Sequence, residues 1–254
     1  MYLGILARAA LAAAAFLAIH PAFAQSGNFV GLGVGAVPVY EGASEYKALP
    51  SPVVNYHAGP FFISPRGGLP AMGLKTTLAS NLDAGIFIGL GRGRDADDAD
   101  RTRGLDNIDF HAAYGAYIEW TPGKYSLGAA YRQAAKGGYG GTLELRATYT
   151  AFTSAKHAVR IGANTQWAND DYMQTWYGVT PSQAARSEAG LPAYSASAGF
   201  KSASVFATWA YRLDQNWSTL TTVGVLTVMG DARSSPLTAR KTNPFGAVAL
   251  VYNF

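Results

Sequence analysis

The sequence predicts an all-β fold: a transmembrane antiparallel up-and-down β-barrel with twelve strands, or alternatively ten. Three observations predict it. Apolar and polar residues alternate along many short segments, long and short connections alternate between those segments, and the chain ends on an aromatic residue. After the first 24 residues, no apolar run approaches the length of about 18 that a membrane-spanning helix needs. A barrel hides its apolar character, because lipid-facing and interior residues take turns along each strand.

Residues 1–24 have the pattern of a secretory signal peptide. Arg8 supplies a positive charge, and residues 9–19 form an apolar run that is too short to span a bilayer. An Ala-Phe-Ala cleavage pattern follows, so we expect cleavage before Gln25 and export of residues 25–254 as one barrel domain. A retained anchor helix is the alternative.

The composition limits the possible chemistry. The chain has no Cys, which excludes lipoprotein attachment, disulfides and thiolate metal sites. It has 15 Tyr, 12 Phe, 5 Trp and 29 Gly, and only 14% of its residues are charged, which suits a membrane barrel. The formal net charge of +4 is too small and too scattered to indicate a nucleic-acid partner. No motif indicates a cofactor or a metal.

Alternation is clearest in residues 142–151. Leu143 and Leu145 fall on one face of this segment, and Glu144 and Arg146 fall on the other. Successive side chains of a β-strand point to opposite sides of the sheet, so this segment is predicted to be a strand with one apolar and one polar face. The following segment repeats the pattern after a short turn, which predicts a hairpin.

The last ten residues, 245–254, predict the strand that closes the barrel. Val248, Leu250 and Tyr252 recur at every second position, and the chain stops on Phe254. A strand of about 10 residues that ends in aromatic side chains at an interface is typical of outer-membrane barrels. Taken alone, the segment could equally be the last strand of a soluble all-β domain.

Twelve strands are predicted in all. They lie near residues 29–38, 52–58, 60–65, 72–78, 83–92, 107–120, 125–135, 140–151, 157–167, 197–212, 216–228 and 245–254. The third and fourth are the weakest because Pro65 and Pro70 crowd them, and without them the barrel has ten strands.

The connections differ in length on the two sides of the predicted barrel. Most on one side are tight turns, whereas those on the other side are mostly long, at 39–51, 93–106, 168–196 and 229–244. Outer-membrane barrels have short periplasmic turns and longer extracellular loops. We therefore expect both termini in the periplasm and the loop at 168–196 outside the cell.

Several short motifs resemble the MipA/OmpV family of outer-membrane proteins. They are Pro38-x-Tyr40-Glu41-Gly42 after a first strand with Gly31, Gly33 and Gly35, Tyr177-Gly178-Val179, Gly190-Leu191-Pro192-Ala193-Tyr194, and Ala198-Gly199. The resemblance covers most of residues 25–254. It implies a barrel in the outer membrane of a Gram-negative bacterium. For one branch it implies a scaffold that holds a lytic transglycosylase and a peptidoglycan synthase, and for others a porin-like, osmotic-response or adhesin role.

Five residues form a candidate network in the barrel lumen. Alternation places these side chains on inward faces: Asp109, His111, Glu144, Arg146 and Arg160. The functional interpretation is an ion-selecting constriction. We favour a structural network, because charges of mixed sign give little selectivity. A barrel hydrolase that uses His111 as its base is a further hypothesis, but no Ser or Thr is singled out as a nucleophile.

Two loops offer other candidates. The stretch Asp95-Ala-Asp97-Asp98-Ala-Asp100 resembles a string of calcium ligands, but arginines interrupt it and EF-hand spacing is missing. A charged loop near lipopolysaccharide phosphates is the simpler interpretation. The loop at 168–196 exceeds the usual loop length and is rich in large side chains, so it is predicted to be a plug or an external binding surface. Its candidate contacts are Trp176, Tyr177, Leu191, Pro192 and Tyr194.

The sequence therefore predicts a non-enzymatic outer-membrane barrel. We expect outer-membrane lipids and lipopolysaccharide around it, and the resemblance adds a lytic transglycosylase and a peptidoglycan synthase as partners. The short periplasmic turns are a difficulty, because such partners must then dock on turn residues and the rim. A porin-like channel is the alternative, since about twelve strands can leave a lumen.

Overall fold

The structure is a computed structural model that describes residues 27–66 and 69–254; the predicted signal peptide lies outside the described residues. Twelve strands occur in chain order. They are β1 (Phe29–Pro38), β2 (Tyr46–Ala58), β3 (Phe61–Arg66), β4 (Leu69–Ala79), β5 (Leu82–Gly91), β6 (His111–Trp120), β7 (Tyr125–Ala134), β8 (Gly141–Thr153), β9 (His157–Ala168), β10 (Gly199–Arg212), β11 (Trp217–Val228) and β12 (Thr242–Asn253).

The strands form one closed antiparallel barrel. Each strand pairs with its neighbours in sequence, and β1 pairs with β12 from Phe29 opposite Asn253 to Ala36 opposite Gly246. The predicted twelve-stranded barrel is thus confirmed, and the ten-stranded alternative is wrong. Among the described residues, no helix combines the length and the apolar character needed to cross a bilayer.

Side chains alternate between the two faces of the barrel wall as the sequence predicts. The outward-facing Leu32 is 72% exposed, whereas Phe87 on an inward position is 3% exposed. Exposed apolar side chains on the outer face would be unfavourable in water. Contact with membrane lipid removes them from water, as in other membrane barrels. Trp120, Tyr125 and Trp217 lie at strand ends on this outer face, where an aromatic girdle meets the membrane interface.

The seam between β1 and β12 depends on glycine. A Cβ atom at Gly31 would overlap the carbonyl oxygen of Leu250 and lie 2.7 Å from Cγ1 of Val251. Because Gly31 has no side chain, Val251 can fill the inner face of the seam, where it is fully buried. The alternating glycines of β1 therefore allow the first and last strands to close.

Most connections sort by length as expected. At the end of the barrel that carries Asn28 and Phe254, which we call the turn end, the strands are joined by short turns of two to four residues at 59–60, 80–81, 121–124, 154–156 and 213–216. At the opposite end, the loop end, the longer connections are 39–45, 92–110, 135–140, 169–198 and 229–241. The connection between β3 and β4, two residues long at the loop end, is the exception.

Four predicted strand starts differ from the structure by three residues or more. β2 begins at Tyr46 rather than near 52, although Pro50 and Pro52 lie within it. β2 pairs with β1 along residues 46–55 and with β3 only along 56–58, so in the described part of the chain the prolines lie on an edge without a second partner. An edge tolerates residues that lack an N–H group. β6 begins four residues late, whereas β4 and β12 each begin three residues early.

Four of the loops at the loop end pack together into what we call the cap, formed by residues 39–45, 92–110, 169–198 and 229–241. The cap contains three helices and two 3-10 turns, namely α1 (Asp170–Tyr177), α2 (Pro181–Arg186), α3 (Gly230–Ser234), Ala96–Asp98 and Asp100–Thr102. Its apolar side chains form a core with Tyr40, Ala43, Ala99, Met173, Trp176, Tyr177 and Ala232, and a smaller one with Leu105, Val179, Leu191 and Leu237.

Local signals fix the two longer helices of the cap. The Asn169 side chain caps α1 by accepting a hydrogen bond from the Tyr172 backbone N–H. α2 has a reciprocal capping box between Thr180 and Gln183 and begins with Pro181, which has no N–H to leave unpaired. These caps place the aromatic face of α1 over the barrel mouth.

Candidate functional site

A small cavity lies beneath the cap, in the loop-end half of the lumen. Its volume is about 90 Å³, which is room for several water molecules. Strands β3 to β9 form its wall, and Trp176 and Tyr177 of α1 lie over it. Its ionisable lining residues are Glu41, Arg66, Arg92, His111, Arg132 and Glu144, with Tyr139 and Tyr172 beside them.

A buried ion pair links the cap to the barrel wall. The Lys201 Nζ atom lies 2.6 Å from Glu41 Oε2, and Lys201 is only 1% exposed. The Tyr177 hydroxyl donates to the same carboxylate oxygen at 3.4 Å. Burial alone would raise the pKa of Glu41, but the positive charge and hydrogen bond of Lys201 hold it below the ordinary value. The pair therefore stays charged at neutral pH and joins loop 39–45 to β10.

A β-bulge directs Lys201 into the lumen. The pairing of β10 with β9 shifts register between Phe200 and Ser202, so that Lys201 is the extra residue. Strict alternation from Val205, which faces outward, would place Lys201 against lipid. The bulge moves it to the inner face, where Glu41 neutralises it.

Arg94 and Tyr40 connect the loops of the cap to one another. The Arg94 Nη1 atom donates to the Trp176 carbonyl oxygen at 2.9 Å, and its guanidinium lies 5.5 Å from the centre of the Tyr40 ring. The Tyr40 hydroxyl donates to the Leu237 carbonyl oxygen at 2.7 Å, and burial raises the pKa of this hydroxyl to about 12. The motif tyrosine thus stays a neutral donor that ties loop 39–45 to loop 229–241.

The structure assembles only part of the predicted lumen network. Glu144 and Arg146 face each other inside the barrel with 3.7 Å between Oε1 and Nη1, and both side chains are 8% exposed. Arg160 lies on the inner face of β9 and is partly buried. Asp109 is not in the lumen, because β6 begins only at His111; its exposed carboxylate contacts Lys136 in loop 135–140.

His111 borders the cavity as a tightly packed side chain. Its Nδ1 atom lies 2.9 Å from the Asp109 carbonyl oxygen, and its ring meets Tyr139 edge-on at 4.9 Å. A Cβ at Gly91 would overlap the imidazole, so this glycine makes room for the ring. These contacts explain the position of His111 structurally and supply no support for a catalytic base.

The acidic stretch of loop 92–110 does not form one cluster. Asp98 pairs with Lys47, Asp100 lies 3.1 Å from Arg103, and Asp95 caps a 3-10 turn by accepting from the Asp97 backbone. Within the described ranges, no group of three or more His, Cys, Asp or Glu side chains is placed to hold a metal ion. The structure gives the calcium hypothesis no support.

The long loop lies over the cavity at the loop end of the barrel. It spans residues 169–198, slightly later than predicted, and its candidate contacts separate into two groups. Trp176 and Tyr177 lie over the cavity, and Leu191 is buried in the smaller apolar core of the cap. The Tyr194 hydroxyl donates to the Asp231 carbonyl oxygen at 2.9 Å, which binds this loop to α3, while Pro192 is exposed.

Four of the positively charged side chains at this site were not named from the sequence. Arg66, Arg92 and Arg132 line the cavity, and Lys201 lies behind Glu41. Alternation could have indicated Arg66 and Arg132, because both lie on inward positions of their strands. It gave no signal for Lys201, because a bulge reverses its side.

The barrel is similar to solved outer-membrane proteins. OmpT of Vibrio cholerae is 11% identical over 90% of this chain and 76% of its own, with a TM-score of 0.36. An outer membrane channel from Pseudomonas putida F1 is 11% identical over 91% of this chain and 96% of its own, with a TM-score of 0.40. The CymD monoaromatic hydrocarbon channel is 9% identical over 92% of this chain and 90% of its own, with a TM-score of 0.44.

No curated protein matched the chain. A family model described as "MltA-interacting protein MipA" matches residues 30–254, which is nearly the whole described barrel. The match agrees with the motifs noted in the sequence and with the closed twelve-stranded barrel. The chain is therefore an outer-membrane β-barrel protein that belongs to the MipA family.

Proposed function

We propose that this protein is a non-enzymatic outer-membrane barrel of a Gram-negative bacterium that anchors peptidoglycan-remodelling enzymes. The family match over residues 30–254 carries the proposal, because the family is described by its interaction with MltA, a lytic transglycosylase. The resemblance noted in the sequence adds a peptidoglycan synthase as a second partner.

In this proposal the turn end faces the periplasm, as the short turns of outer-membrane barrels do. The strand ends at the turn end add exposed surface for a partner beyond that of the short turns. The hairpin tips at residues 76–81 and 151–156 are exposed throughout. A β-bulge lies near each tip, between Thr77 and Ala79 and between Thr150 and Phe152. Bulges bend a strand and are frequent at the rims of barrels, where they redirect side chains.

The charge of the turn end indicates the kind of surface it would meet. The exposed charged side chains of its turns and strand ends are Lys124, Lys156, Arg212 and Asp214, three cations and one acid. Complementary charge steers association and sets its salt dependence. We therefore propose that an acidic face of the transglycosylase docks on this rim.

A porin-like channel is the second candidate function. The charged inner wall around Glu144, Arg146 and Arg160 favours it, because water-filled barrels carry polar side chains inside. The cap opposes it, since a conducting pore would require the cap to move. Planar-bilayer recording separates the two: steady conductance of the wild-type barrel supports the channel.

A pulldown tests the scaffold. The barrel is immobilised in neutral detergent and challenged with the purified transglycosylase. We expect retention at low salt, a decrease as salt rises, and a several-fold loss for the double variant Lys124→Glu/Lys156→Glu. The matched control is Arg233→Glu/Arg240→Glu, which makes the same charge change on exposed residues of the cap. Absence of retention at low salt, or equal loss in both double variants, contradicts the proposal.

A further inference from the structure

The cavity beneath the cap has more positive than negative groups in its wall. Three guanidinium groups line it, from Arg66, Arg92 and Arg132, against the two carboxylates of Glu41 and Glu144. Charges that are removed from bulk water need opposite charges close by, because the surroundings no longer solvate them. The net charge around the cavity therefore depends on which cations the two carboxylates pair with.

Both carboxylates have cationic partners that do not belong to the cavity lining. Glu41 pairs with Lys201 at 2.6 Å, and Glu144 lies 3.7 Å from Arg146. Neither Lys201 nor Arg146 lines the cavity. Glu41 therefore serves Lys201 as well as Arg92. Glu144 likewise serves Arg146 as well as Arg132. The groups around the cavity thus keep an excess of positive charge.

Arg66 is buried with part of its hydrogen-bonding capacity unused. The residue is 6% exposed, and its Nε atom has no hydrogen-bond partner. Its nearest carboxylate is Glu119 at 3.6 Å, which also accepts a hydrogen bond from Ser126 at 2.8 Å. Its guanidinium lies against the Tyr117 ring, 3.9 Å from the centroid. An unpaired buried N–H costs about 1–3 kcal/mol, so a bound acceptor would relieve it.

Arg132 is held rigidly at the same wall. Its Nη1 atom donates to the Leu90 carbonyl oxygen at 3.0 Å, and its Nη2 atom donates to the Arg66 carbonyl oxygen. The guanidinium also lies over the Phe87 ring. In the part of the chain that the structure describes, no carboxylate forms an ion pair with Arg132. Neutral carbonyl groups fix its position, and the carboxylate whose charge acts on it, Glu144, also pairs with Arg146.

We propose that this cavity is a binding site for an oxyanion, a carboxylate or phosphate group, held by Arg66 and Arg132 with Arg92 beside them. Planar guanidinium groups match the geometry of both oxyanions and bind them through paired charge-assisted hydrogen bonds. The volume of about 90 Å³ accommodates such a group but not a long chain attached to it. The proposal does not depend on the scaffold function.

The barrel wall has a gap near the cavity. The part of a larger ligand that does not fit in the cavity would lie in this gap. Among the described residues, no strand lies next to residues 46–55 of β2 on the β3 side. Leu69 and Gly91, at the loop-end tips of β4 and β5, line the cavity. The apolar part of an acidic amphiphile could pass this gap into the membrane while its head group occupies the cavity.

Calorimetric titration of the full-length barrel in neutral-lipid nanodiscs tests the site. The probes are acetate, inorganic phosphate and decanoate, with decanol as the uncharged control for partitioning into lipid. We expect saturable binding of at least one anionic probe and not of decanol. Arg132→Gln should weaken that binding about tenfold or more, and Arg66→Gln should do likewise. Arg212→Gln, at the exposed turn end, should leave it unchanged.

The outcomes separate the possible ligands. Binding of decanoate alone identifies a membrane amphiphile, and binding of acetate or phosphate identifies a soluble acid; either supports the site. Heat-modifiable migration on gels checks folding of each variant, and if Arg132→Gln does not fold, Arg66→Gln decides. Absence of saturable binding for all three anions, or unchanged binding in the folded arginine variants, overturns the proposal. Neither result bears on the pulldown of the transglycosylase.

Discussion

At the scale of single residues, buried charge shapes the loop end of this barrel. Lys201 and Glu41 are both largely removed from water, and each is tolerated because the other is present. Such a pair adds little net stability compared with a well-packed apolar pair, but losing one partner is expensive. The pair is therefore one of the contacts that hold the cap on the barrel.

Substitution of one partner should loosen the cap. Glu41→Gln leaves the Lys201 ammonium buried without its counter-charge, and we expect a loss of about 3–5 kcal/mol in the free energy of unfolding. Urea titration of the folded barrel in lipid vesicles measures it. The double variant Glu41→Gln/Lys201→Met removes both charges and should recover much of the loss. A double variant that is less stable than Glu41→Gln would contradict this account.

The same pair predicts how stability changes with pH. The folded-state pKa of Glu41 lies below its ordinary value of 4.5. Its contribution is therefore fully present above 4.5 and is lost as the pH falls through the lower, folded-state value. We expect the fluorescence of the buried Trp176, obtained by subtracting the spectrum of Trp176→Phe, to change in that acid range. In Glu41→Gln this acid transition should be absent; its persistence would assign the titration to another group.

At the scale of strands, alternation accounts for what the sequence could predict. The twelve strands and the sorting of the loops follow from period-two patterns and turn residues, which are local signals. The early start of β2 could not be predicted, because Pro50 and Pro52 count against a strand unless one edge is known to be unpaired.

The candidate site was less predictable than the fold for a physical reason. The position of Lys201 depends on a bulge that is visible only in the pairing of β10 with β9. The meeting of Glu41 with Lys201 joins residues 160 positions apart. Periodicity reports which face a side chain occupies, and it does not report which distant side chain lies opposite.

The pairing of β1 with β12 should depend on the glycines of β1. Gly31→Val places a side chain where the Leu250 carbonyl and the Val251 side chain already lie, and backbone atoms cannot move aside easily. We expect a loss of roughly 1–3 kcal/mol in stability and less heat-modifiable barrel. Gly199→Ala is the control, because nothing lies within 4 Å of its added Cβ. Equal behaviour of the two variants would show that the seam does not require glycine.

At the scale of the whole molecule, the chain forms two parts, the barrel wall and the cap. The barrel wall presents apolar side chains to lipid and closes through β1 and β12. The cap covers one end and encloses a charged cavity, while the opposite end presents short turns and a positively charged rim. Both proposals, a docked periplasmic enzyme and a bound oxyanion, depend on the closed barrel that keeps these two ends apart.

Cross-linking across the closure tests that barrel most directly. The chain has no cysteine, and Val34 of β1 pairs with Val248 of β12 with both side chains outward. Directly opposed residues of antiparallel strands lie within disulfide distance. Oxidation of Val34→Cys/Val248→Cys in isolated outer membranes should link the two ends of one chain on non-reducing gels. Val34→Cys/Ala249→Cys, with the second cysteine facing inward, should not. No link in the first variant, or equal linking in both, would contradict the closed barrel.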